Sequence, residues 1–446
     1  MPAQTRSNAP RDPAVHKGRR ATQRERLVAS MIAAGNNVGY ARANVSAVIE
    51  QAGVSRPTFY DYFSDRDDCF LGALDDVYQR LLSHLRECVS EGPPDRALHC
   101  ALEALIDFAA DESDAARYLT SEAMTAGPRA LDTRDRGLEE IGEIVGRRFA
   151  RLAGSTPIPD VSPRMLMGGV YRLIGARLRR GEPGLSRLRE DLLVWVDSYQ
   201  RPASEHRWNS LARARAYQAS RFVPSAPLRP PDVLGPGRPR IPATEVAANQ
   251  RLRILFATAT LAAEQSYAAS TVADILKLAA VDGRTFYAQF AGKQEAFTAV
   301  HELGLQQVLW VTGQAFFSES SWPERVWEAT RALTQFLEIN PLIARVGFIE
   351  AYAAGSAAVQ RVEDSHLAFT MFLQEGYQHV PESGLSRLAL EAIVMTVFEM
   401  VYWRARARSG AGTTSLLAPM NLLCLAPFLG IEGATQFVDS RSAEAP

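Results

Sequence analysis

The feature that most constrains this chain is a pattern of 19 residues that occurs twice, its second copy 227 residues after the first. The copies span Val45–Phe63 and Val272–Phe290. Each has the pattern of a short amphipathic helix, a tight break and a second short helix that ends in aromatic residues. A helix-turn-helix has this layout, and its second helix enters the major groove of DNA. The chain is therefore predicted to carry two DNA-reading units.

The similarity between the two halves extends beyond this pattern. Residues 24–70 and 251–297 align without a gap and are identical at twelve positions, among them Tyr40 and Tyr267. Duplication of a whole unit explains this better than two unrelated domains. The expected order is a disordered basic arm (1–23), a helix-turn-helix domain (24–66), a helical effector and dimerisation domain (67–200), a basic proline-rich linker (201–242), a second helix-turn-helix domain (243–293), a second helical domain (294–434) and a disordered tail (435–446).

The composition predicts an all-α fold, because helix-forming residues dominate and alternating strand-like stretches are scarce. The first helix is expected over 24–36, and the two motif helices over 45–51 and 55–63. No apolar run of about 18 residues stands out, so no transmembrane helix is expected. The four cysteines are scattered, which indicates neither a disulfide framework nor a zinc site and favours the reduced cytoplasm.

The first motif resembles a known family at its turn and second helix. Residues 52–63 read Ala-Gly-Val-Ser-Arg-Pro-Thr-Phe-Tyr-Asp-Tyr-Phe, followed by Ser-Asp-Arg and an acidic helix start. This stretch is similar to the TetR family of one-component regulators. The resemblance implies a three-helix DNA-binding domain on a larger helical domain that binds a ligand and dimerises, here twice in one chain. It also implies a regulator, usually a repressor, that binds double-stranded operator DNA and responds to a small apolar or aromatic effector.

The residue types of the first motif suit contact with DNA. Gly53 fits a turn that needs a positive φ angle, Ser55 is a good N-cap, and Pro57 suits the first turn of a helix. Arg56 is placed to reach a guanine edge or a phosphate. The resemblance implies phosphate contacts by nearby hydroxyls, although Tyr60 could instead be a packing residue with its hydroxyl in water. The predicted DNA-binding residues of the first unit are Asn44, Ser55, Arg56, Pro57, Thr58, Tyr60, Tyr62 and Arg66.

The second motif departs from the first at the positions expected to face DNA. Ala280 replaces the turn glycine, and Asp282 puts an acid where the first copy has Ser55. The acid can still cap a helix but would repel phosphate. We expect a folded helix-turn-helix with weaker or different DNA binding, the alternative being a purely structural copy. Its predicted DNA-binding residues are Thr271, Arg284, Thr285, Tyr287, Gln289 and Lys293.

Positive charge is concentrated in and around the motifs. Residues 1–66 carry ten Lys and Arg against five Asp and Glu, and residues 201–240 carry eight against two, although the whole chain has a net charge of −1. Basic arms precede both motifs, and the second resembles the core of an AT-hook. Such arms can insert arginine into a narrow minor groove. The arm residues predicted to bind DNA are Arg19, Arg20, Arg238 and Arg240.

The helices behind each motif are rich in apolar and aromatic residues. A helical bundle of this kind could enclose an apolar ligand cavity, although ordinary core is the alternative for any single residue. A ligand pocket is expected because of the family resemblance rather than from residue spacing. The candidate pocket residues are Phe108, Tyr118, Met124, Met167, Tyr171, Trp327, Phe348, Tyr352, Phe372 and Trp403.

Other functions are less consistent with the sequence. An acidic cluster that includes Asp65, Asp67 and Asp68 could hold Mg²⁺ in a helical enzyme. The second copy has only Gln294 and Glu295 at the positions of Asp67 and Asp68, so we expect no enzyme, no metal and no cofactor. A ligand sensor or scaffold that has lost DNA binding is a further alternative, against which the intact first motif argues. The sequence leaves open whether the chain is an intrachain pseudo-dimer or pairs with a second copy through 163–200 and 385–431.

Overall fold

The computed structural model of this chain describes residues 13–149, 162–182, 184–199, 219–235, 241–379, 384–407 and 412–443. These residues form helices, turns and irregular segments, without a β-strand among them. The helices of the first half are α1 (Pro13–Val38), α2 (Val45–Ala52), α3 (Arg56–Tyr60), α4 (Arg66–Glu91), α5 (Ala97–Asp111), α6 (Ser113–Arg117), α7 (Ala123–Thr125), α8 (Pro128–Phe149), α9 (Pro163–Arg179) and α10 (Leu188–Asp197).

The second half repeats this order of helices, except that a 3-10 helix, Glu350–Ala354, stands at the place of α7. Its helices are α11 (Ala243–Gln265), α12 (Val272–Ala279), α13 (Gly283–Tyr287), α14 (Lys293–Phe316), α15 (Trp322–Ile339), α16 (Pro341–Phe348), α17 (Ser356–Leu367), α18 (Leu388–Arg406) and α19 (Leu417–Ala443). The predicted all-α class is confirmed, and most predicted helix ends lie within a few residues of those observed.

Two terminal predictions are wrong. Helix α1 begins at Pro13, so part of the expected disordered arm continues the first helix. Helix α19 runs to Ala443, so part of the expected disordered tail is also helical. The side chains of Thr435 and Val438 are fully buried, and this burial stabilises the last turns against the rest of the protein.

Each half consists of a helix-turn-helix head on a helical body. The first head comprises α1–α3 and the second comprises α11–α13. Phe59 and Phe286 occupy equivalent positions in the reading helices and are fully buried. Their burial fixes each reading helix to its head, because a buried phenylalanine contributes about 1.5–3 kcal/mol.

The same carboxylate contact joins each head to its body. The backbone N–H of Tyr40 donates to Oε2 of Glu122 at 2.7 Å, and that of Tyr267 donates to Oε2 of Glu350 at 3.0 Å. Both glutamates are buried, and burial raises the pKa of each. The duplication therefore preserved this link between reading head and body.

The two bodies pack against each other through helices α9 and α18. Gly168 and Gly169 of α9 allow the approach, because a Cβ at these positions would lie 2.7 Å from Cγ of Glu399 and 2.0 Å from Oγ1 of Thr396. Farther along this contact the hydroxyl of Tyr199 donates to the carbonyl of Leu423 at 2.8 Å. Most buried apolar residues of both bodies form one continuous core. The faces that the sequence offers for pairing two chains are thus used within this one.

A buried charge network lies at the centre of this contact. Both oxygens of Glu399 accept hydrogen bonds from Nη2 of Arg134, at 2.8 and 2.7 Å, and Arg172 donates to the same carboxylate. Nη1 of Arg172 also donates to the hydroxyl of Tyr352 at 2.7 Å. Burial alone would raise the pKa of Glu399, but the two guanidinium groups outweigh it and lower this pKa to about 2.

The ion pairs across the contact follow a pseudo-twofold pattern. Arg172 and Glu399 are 227 residues apart, which is the offset of the sequence repeat, so equivalent positions face each other. Arg179 pairs with Glu363 of the other half. Arg406, at the position equivalent to Arg179, pairs with Asp135 at 2.9 Å. Reciprocal contacts of this kind characterise an interface between units related by a twofold axis.

One segment, Thr413–Arg441, is long and apolar enough to pass a length and composition test for a membrane span. Its most apolar window has a mean hydropathy of 1.6 and is 72% buried inside the protein. The sequence reasoning did not identify this stretch. A core helix of a folded domain passes the same test, and the buried contacts of α19 with both bodies account for its apolar residues.

Candidate nucleic-acid interface

The first reading helix, α3, presents a polar and aromatic surface to solvent. Ser55 caps the helix, because its Oγ accepts a hydrogen bond from the backbone N–H of Thr58 at 3.2 Å. Pro57 occupies the first turn, where no N–H is needed. Arg56 is exposed, with Nη2 donating to Oγ of Ser46 at 3.2 Å, and the side chain of Tyr60 is 50% exposed. Arg56 and Tyr60 are exposed, so either side chain could reach a phosphate or a base edge, Arg56 at the expense of its hydrogen bond to Ser46 at most.

Two further predicted residues support the head from within. Oδ1 of Asn44 accepts from the backbone N–H of Ala47 at 3.0 Å and so caps α2. The hydroxyl of Tyr62 donates to Oε1 of Gln23 on α1 at 3.2 Å. The cap uses the amide oxygen of Asn44 and not its NH2 group, whereas Tyr62 uses its hydroxyl donor inside the head.

The second reading helix, α13, has the same architecture with different charges. Oδ1 of Asp282 caps it by accepting from the backbone N–H of Thr285 at 2.7 Å. This hydrogen bond lowers the pKa of Asp282, so an exposed anion stands at the end of the helix that is predicted to face DNA. Arg284 is exposed, and the side chain of Tyr287 is 60% exposed. Gln289 makes only a weak contact, from Nε2 to the carbonyl of Ala247 at 3.4 Å.

The N-terminus of α12 is closed by a capping box. Oγ1 of Thr271 accepts from the backbone N–H of Asp274 at 3.2 Å, and Oδ2 of Asp274 accepts from the backbone N–H of Thr271 at 3.1 Å. The predicted DNA contact Thr271 thus has the same capping role as Asn44 in the first head.

Two predicted phosphate contacts are engaged inside the protein. Arg66 forms an ion pair with Asp67 at 2.7 Å and donates to the hydroxyl of Tyr40 at 3.0 Å. Nζ of Lys293 donates to the carbonyls of Tyr267 and Ser270 at 2.8 and 2.9 Å. Arg66 and Lys293 would each have to give up these contacts in order to bind a phosphate. Their contact with DNA stays a prediction.

An arginine on the first helix of each head secures the turn, and the sequence reasoning missed it. Nη2 of Arg26 donates to the carbonyl of Gly53 at 2.9 Å, and Nη2 of Arg253 donates to the carbonyl of Ala280 at 2.7 Å. These carbonyls end α2 and α12 and need a donor. Both arginines are among the positions identical between the two halves, which is the signal that could have identified them.

The turn of the second head is strained at Ala280. Its φ and ψ angles are 49° and 50°, close to the 60° and 44° of Gly53 in the first head. This left-handed conformation costs an L-residue about 1–2 kcal/mol. The first head avoids the cost with glycine.

We expect Ala280→Gly to stabilise the second head by about 1 kcal/mol, because glycine accepts the left-handed conformation without a steric penalty. Hydrogen exchange of the α12 and α13 amides measures this local stability. Gly53→Ala is the matched control and should destabilise the first head by a similar amount. Equal exchange rates in Ala280→Gly and the parent protein would contradict the assignment of strain.

The predicted arm residues fall largely outside the described structure. Arg238 and Arg240 lie outside the described residues. The backbone of Arg19 and Arg20 belongs to α1, and their side chains are likewise outside the description. Their proposed minor-groove contacts stay predictions.

Only two of the candidate pocket residues line a cavity described here. Phe348 lines a cavity of about 470 Å³ in the second half, and Phe372 lines a space of about 50 Å³ nearby. Tyr171 shares a hydrogen bond of 3.1 Å with Tyr78, and Tyr118 donates to the carbonyl of Phe70 at 3.1 Å. The other candidates that lie in packed core or against the contact between the halves are Phe108, Met124, Met167, Trp327, Tyr352 and Trp403.

The acidic cluster of the first half has structural partners. Asp65 caps α4 by accepting from the backbone N–H of Asp68 at 2.8 Å, and Oδ1 of Asp76 accepts from Arg24 at 2.9 Å. Oδ2 of Asp68 accepts from the backbone N–H of Ser64 at 2.8 Å. Across the residues that the structure describes, no group of three or more His, Cys, Asp and Glu side chains is arranged to hold a metal ion.

Comparison with known proteins gives matches at both heads. The family model described as "Bacterial regulatory proteins, tetR family" matches residues 36–73 and again residues 254–300. An uncharacterized HTH-type transcriptional regulator of Mycobacterium tuberculosis is 27% identical over 181 residues, which cover 39% of this chain and 93% of that protein. The HTH-type transcriptional activator FasR of Mycolicibacterium smegmatis is 30% identical over 144 residues, which cover 28% of this chain and 66% of that protein.

Among solved structures, the fatty acid degradation regulator FadR from Bacillus halodurans is similar at 15% sequence identity. The match covers 38% of this chain and 94% of that chain, with a TM-score of 0.34. Each of these relatives corresponds in length to about one half of the present chain.

Proposed function

We propose that this chain, which belongs to the TetR family of bacterial regulatory proteins and carries the family's DNA-binding region twice, reads one operator with both heads as a covalent pseudo-dimer. It is a DNA-binding transcriptional regulator. The observation that carries the proposal is the reciprocal set of ion pairs between the halves, in which Arg179–Glu363 and Arg406–Asp135 lie within one residue of equivalent positions under the 227-residue offset. A twofold contact between the bodies would hold the two heads in a twofold relation, which is how paired helix-turn-helix units read two half-sites.

The pseudo-dimer proposal has direct support from the residues used between the bodies. The faces of α9 and α18 that could pair two chains are buried against each other within one chain. Pairing of two chains through these faces would require the halves to separate and expose the Arg134–Glu399 network. A single chain per operator is therefore the arrangement we propose.

We infer that the first head supplies most of the sequence-specific affinity. Arg56 and Tyr60 are exposed on α3, and the cap of this helix is the neutral Ser55. The second head has a charged carboxylate at the same place, in Asp282. Its exposed Arg284 and Tyr287 support additional phosphate contacts or altered base preference rather than equal affinity.

The proposal is tested by counting chains on DNA. Genomic fragments that bind the purified protein would be selected at physiological salt, and the complex with the shortest fragment would be weighed by native mass spectrometry. We expect one chain per operator. Two chains, and therefore four heads, on the minimal fragment would overturn the pseudo-dimer, and the absence of any specific fragment would favour a sensor or scaffold without DNA binding.

The exposed acid of the second head gives a separate prediction. Asp282→Ser should strengthen operator binding severalfold, because the change removes a carboxylate that would repel a nearby phosphate. Serine can still cap α13, as Ser55 caps α3. A gel-shift titration measures the change. Ser55→Asp makes the reverse change in the first head and should weaken binding. If it does so while Asp282→Ser leaves the affinity unaltered, the second head does not approach a phosphate.

The sign of regulation is proposed as repression, because repression is the usual outcome in this family. One relative is named a transcriptional activator, so a promoter reporter with the selected fragment is the deciding assay. The proposed location is the cytoplasm, where promoter DNA lies. We propose no catalytic activity, a view that the caps and ion pairs of Asp65, Asp68 and Asp76 support.

A further inference from the structure

Two pairs of equivalent residues face each other in the contact between α9 and α18. Gly169 lies against Thr396, and Arg172 donates to the carboxylate of Glu399. The members of each pair are 227 residues apart, which is the offset of the sequence repeat. A residue that contacts its own equivalent lies on the twofold axis of an interface. The pseudo-twofold axis of this chain therefore passes beside both pairs.

The two halves carry different residues at these axis positions. A protein that pairs two identical units cannot do so, because the axis joins each residue to its own copy. Here the first half has a glycine and a cation, whereas the second half has a larger side chain and an anion. The contact thus combines residues that two copies of either half alone could not bring together.

Two first halves could not form the charged pair. Arg172, with 4% of its side chain exposed, would then face a second Arg172. Arg134, whose side chain has no exposed surface, would also lose the carboxylate of Glu399. Four guanidinium groups would meet without the carboxylate that Arg134 and Arg172 share in this chain. Like charges that face each other in an interface strongly oppose association.

Two second halves could not form the glycine contact. A Cβ on Gly169 would lie 2.9 Å from Cα of Thr396, so the first half has no room for a side chain at this position. Thr396 is fully buried, and a second Thr396 would have to occupy that space. Two copies of Glu399 would also face each other. Steric overlap opposes this pairing, and the facing carboxylates add to it.

The surroundings of the axis differ between the halves in the same sense. Arg134 is buried against Glu399, whereas Arg361, its equivalent 227 residues later, is exposed. By the twofold relation the counterpart of Glu399 for Arg361 is Arg172, which is a cation. If two second halves met, Arg361 could turn toward Glu399, so Thr396 is the chief obstacle to that pairing. The buried charges are arranged for one first half and one second half.

We propose that the contact between the bodies accepts only unlike halves, and that Gly169, Arg172, Thr396 and Glu399 determine this specificity. The partner of each half is the other half of the same chain, or of a second chain if two chains exchange halves. The inference rests on the contact between the bodies and needs no DNA binding. Its consequence for the proposed function is that every assembly carries equal numbers of first and second heads.

Charge reversals in the full chain test this specificity. Arg172→Glu has glutamate at both axis positions and Glu399→Arg has arginine at both, so neither variant can close an unlike pair. In each variant alone we expect the amides of α9 and α18 to exchange hydrogen at least about 100-fold faster than in the parent, without a two-chain complex. Arg180→Glu is the matched control. It reverses a charge in the same contact away from the axis, beside the half-exposed Asp364, and should exchange as the parent does.

Mixing the two variants supplies the missing partners. Arg172→Glu and Glu399→Arg would be mixed in urea, diluted together into buffer and weighed by native mass spectrometry. We expect a complex of one chain of each variant, with slow exchange in α9 and α18 restored, because each chain now meets the opposite charge. A two-chain complex in either variant alone, or no complex in the mixture, would overturn the proposal.

The uncharged axis pair provides a second test if a charge reversal fails to fold, which circular dichroism would show. Gly169→Thr places threonine at both axis positions and should speed exchange in α9 and α18. Adding Thr396→Gly to it exchanges the two residues between the halves and should restore slow exchange within one chain. Exchange in Gly169→Thr as slow as in the parent would overturn the proposal. These readouts need no operator, so failure of DNA binding would leave this inference standing.

Discussion

Glu399→Ala should lower the free energy of unfolding by about 3–5 kcal/mol, because removing one partner of a buried ion pair leaves uncompensated charge. Glu399 has no exposed side-chain surface, and the guanidinium of Arg134 has none either. Arg172 adds a second cation to the same carboxylate. The alanine variant would leave Arg134 bonded to Asp135 and Arg172 bonded to the hydroxyl of Tyr352, without the carboxylate that both guanidinium groups share.

The pH dependence of this effect follows from the sign of the pKa shift. The pKa of Glu399 is lowered from 4.5 to about 2. The pair therefore contributes its full stability above about pH 4.5 and loses it as the pH falls toward 2. We expect the difference between parent and Glu399→Gln in urea unfolding to be constant near neutral pH and to shrink below pH 4.

Asp364→Ala provides the matched control. Asp364 also pairs across the halves, with Arg180 at 2.6 Å, but about half of its side chain is exposed. Exposed pairs contribute about 0–1 kcal/mol, so this variant should change unfolding little. If Glu399→Ala were as stable as Asp364→Ala, the halves would not depend on the buried network, and the pseudo-dimer would rest on apolar packing alone.

The parts of the fold that depend on local sequence were predictable. Ser55 and Asp282 cap their helices as their residue types predict, because an N-cap needs only a side-chain oxygen within three residues of its donor. The expected left-handed turn at Gly53 is present. Ala280 adopts the same turn against its own preference, since the duplicated surroundings and the hydrogen bond from Arg253 hold it there.

The contacts between distant residues were not predictable from one sequence. Arg134 and Glu399 are 265 residues apart, and nothing in their local sequence indicates that they meet. The pocket prediction chose large aromatic residues, but most of these fill space instead of enclosing it. The cavity is lined by Gly304, which has no side chain, and by Pro227, Leu228 and Arg229 of the linker, and neither feature has a local sequence signal.

The combined variant Arg56→Ala, Tyr60→Ala should weaken specific operator binding by about 100-fold, since one bidentate arginine contact is worth about 1–3 kcal/mol and a second contact adds to it. Both side chains are exposed, so the fold of the head should survive, and circular dichroism would check this. Gel-shift titration at two salt concentrations measures the loss. The matched control is Arg147→Ala, Phe317→Ala, which removes one exposed arginine and one exposed aromatic ring from the bodies.

The equivalent pair in the second head decides how the two heads share the operator. If Arg284→Ala, Tyr287→Ala weakens binding as strongly as the first pair, both heads read the operator and the covalent pseudo-dimer acts as a dimer does. If it weakens binding by less than about fivefold, or about 1 kcal/mol, the first head dominates, as the acid at Asp282 predicts. If this variant lowers the salt dependence of operator binding but keeps the sequence preference, the second head contacts phosphates, because phosphates carry no sequence information. Full binding by both double variants would contradict the assignment of α3 and α13 as reading helices.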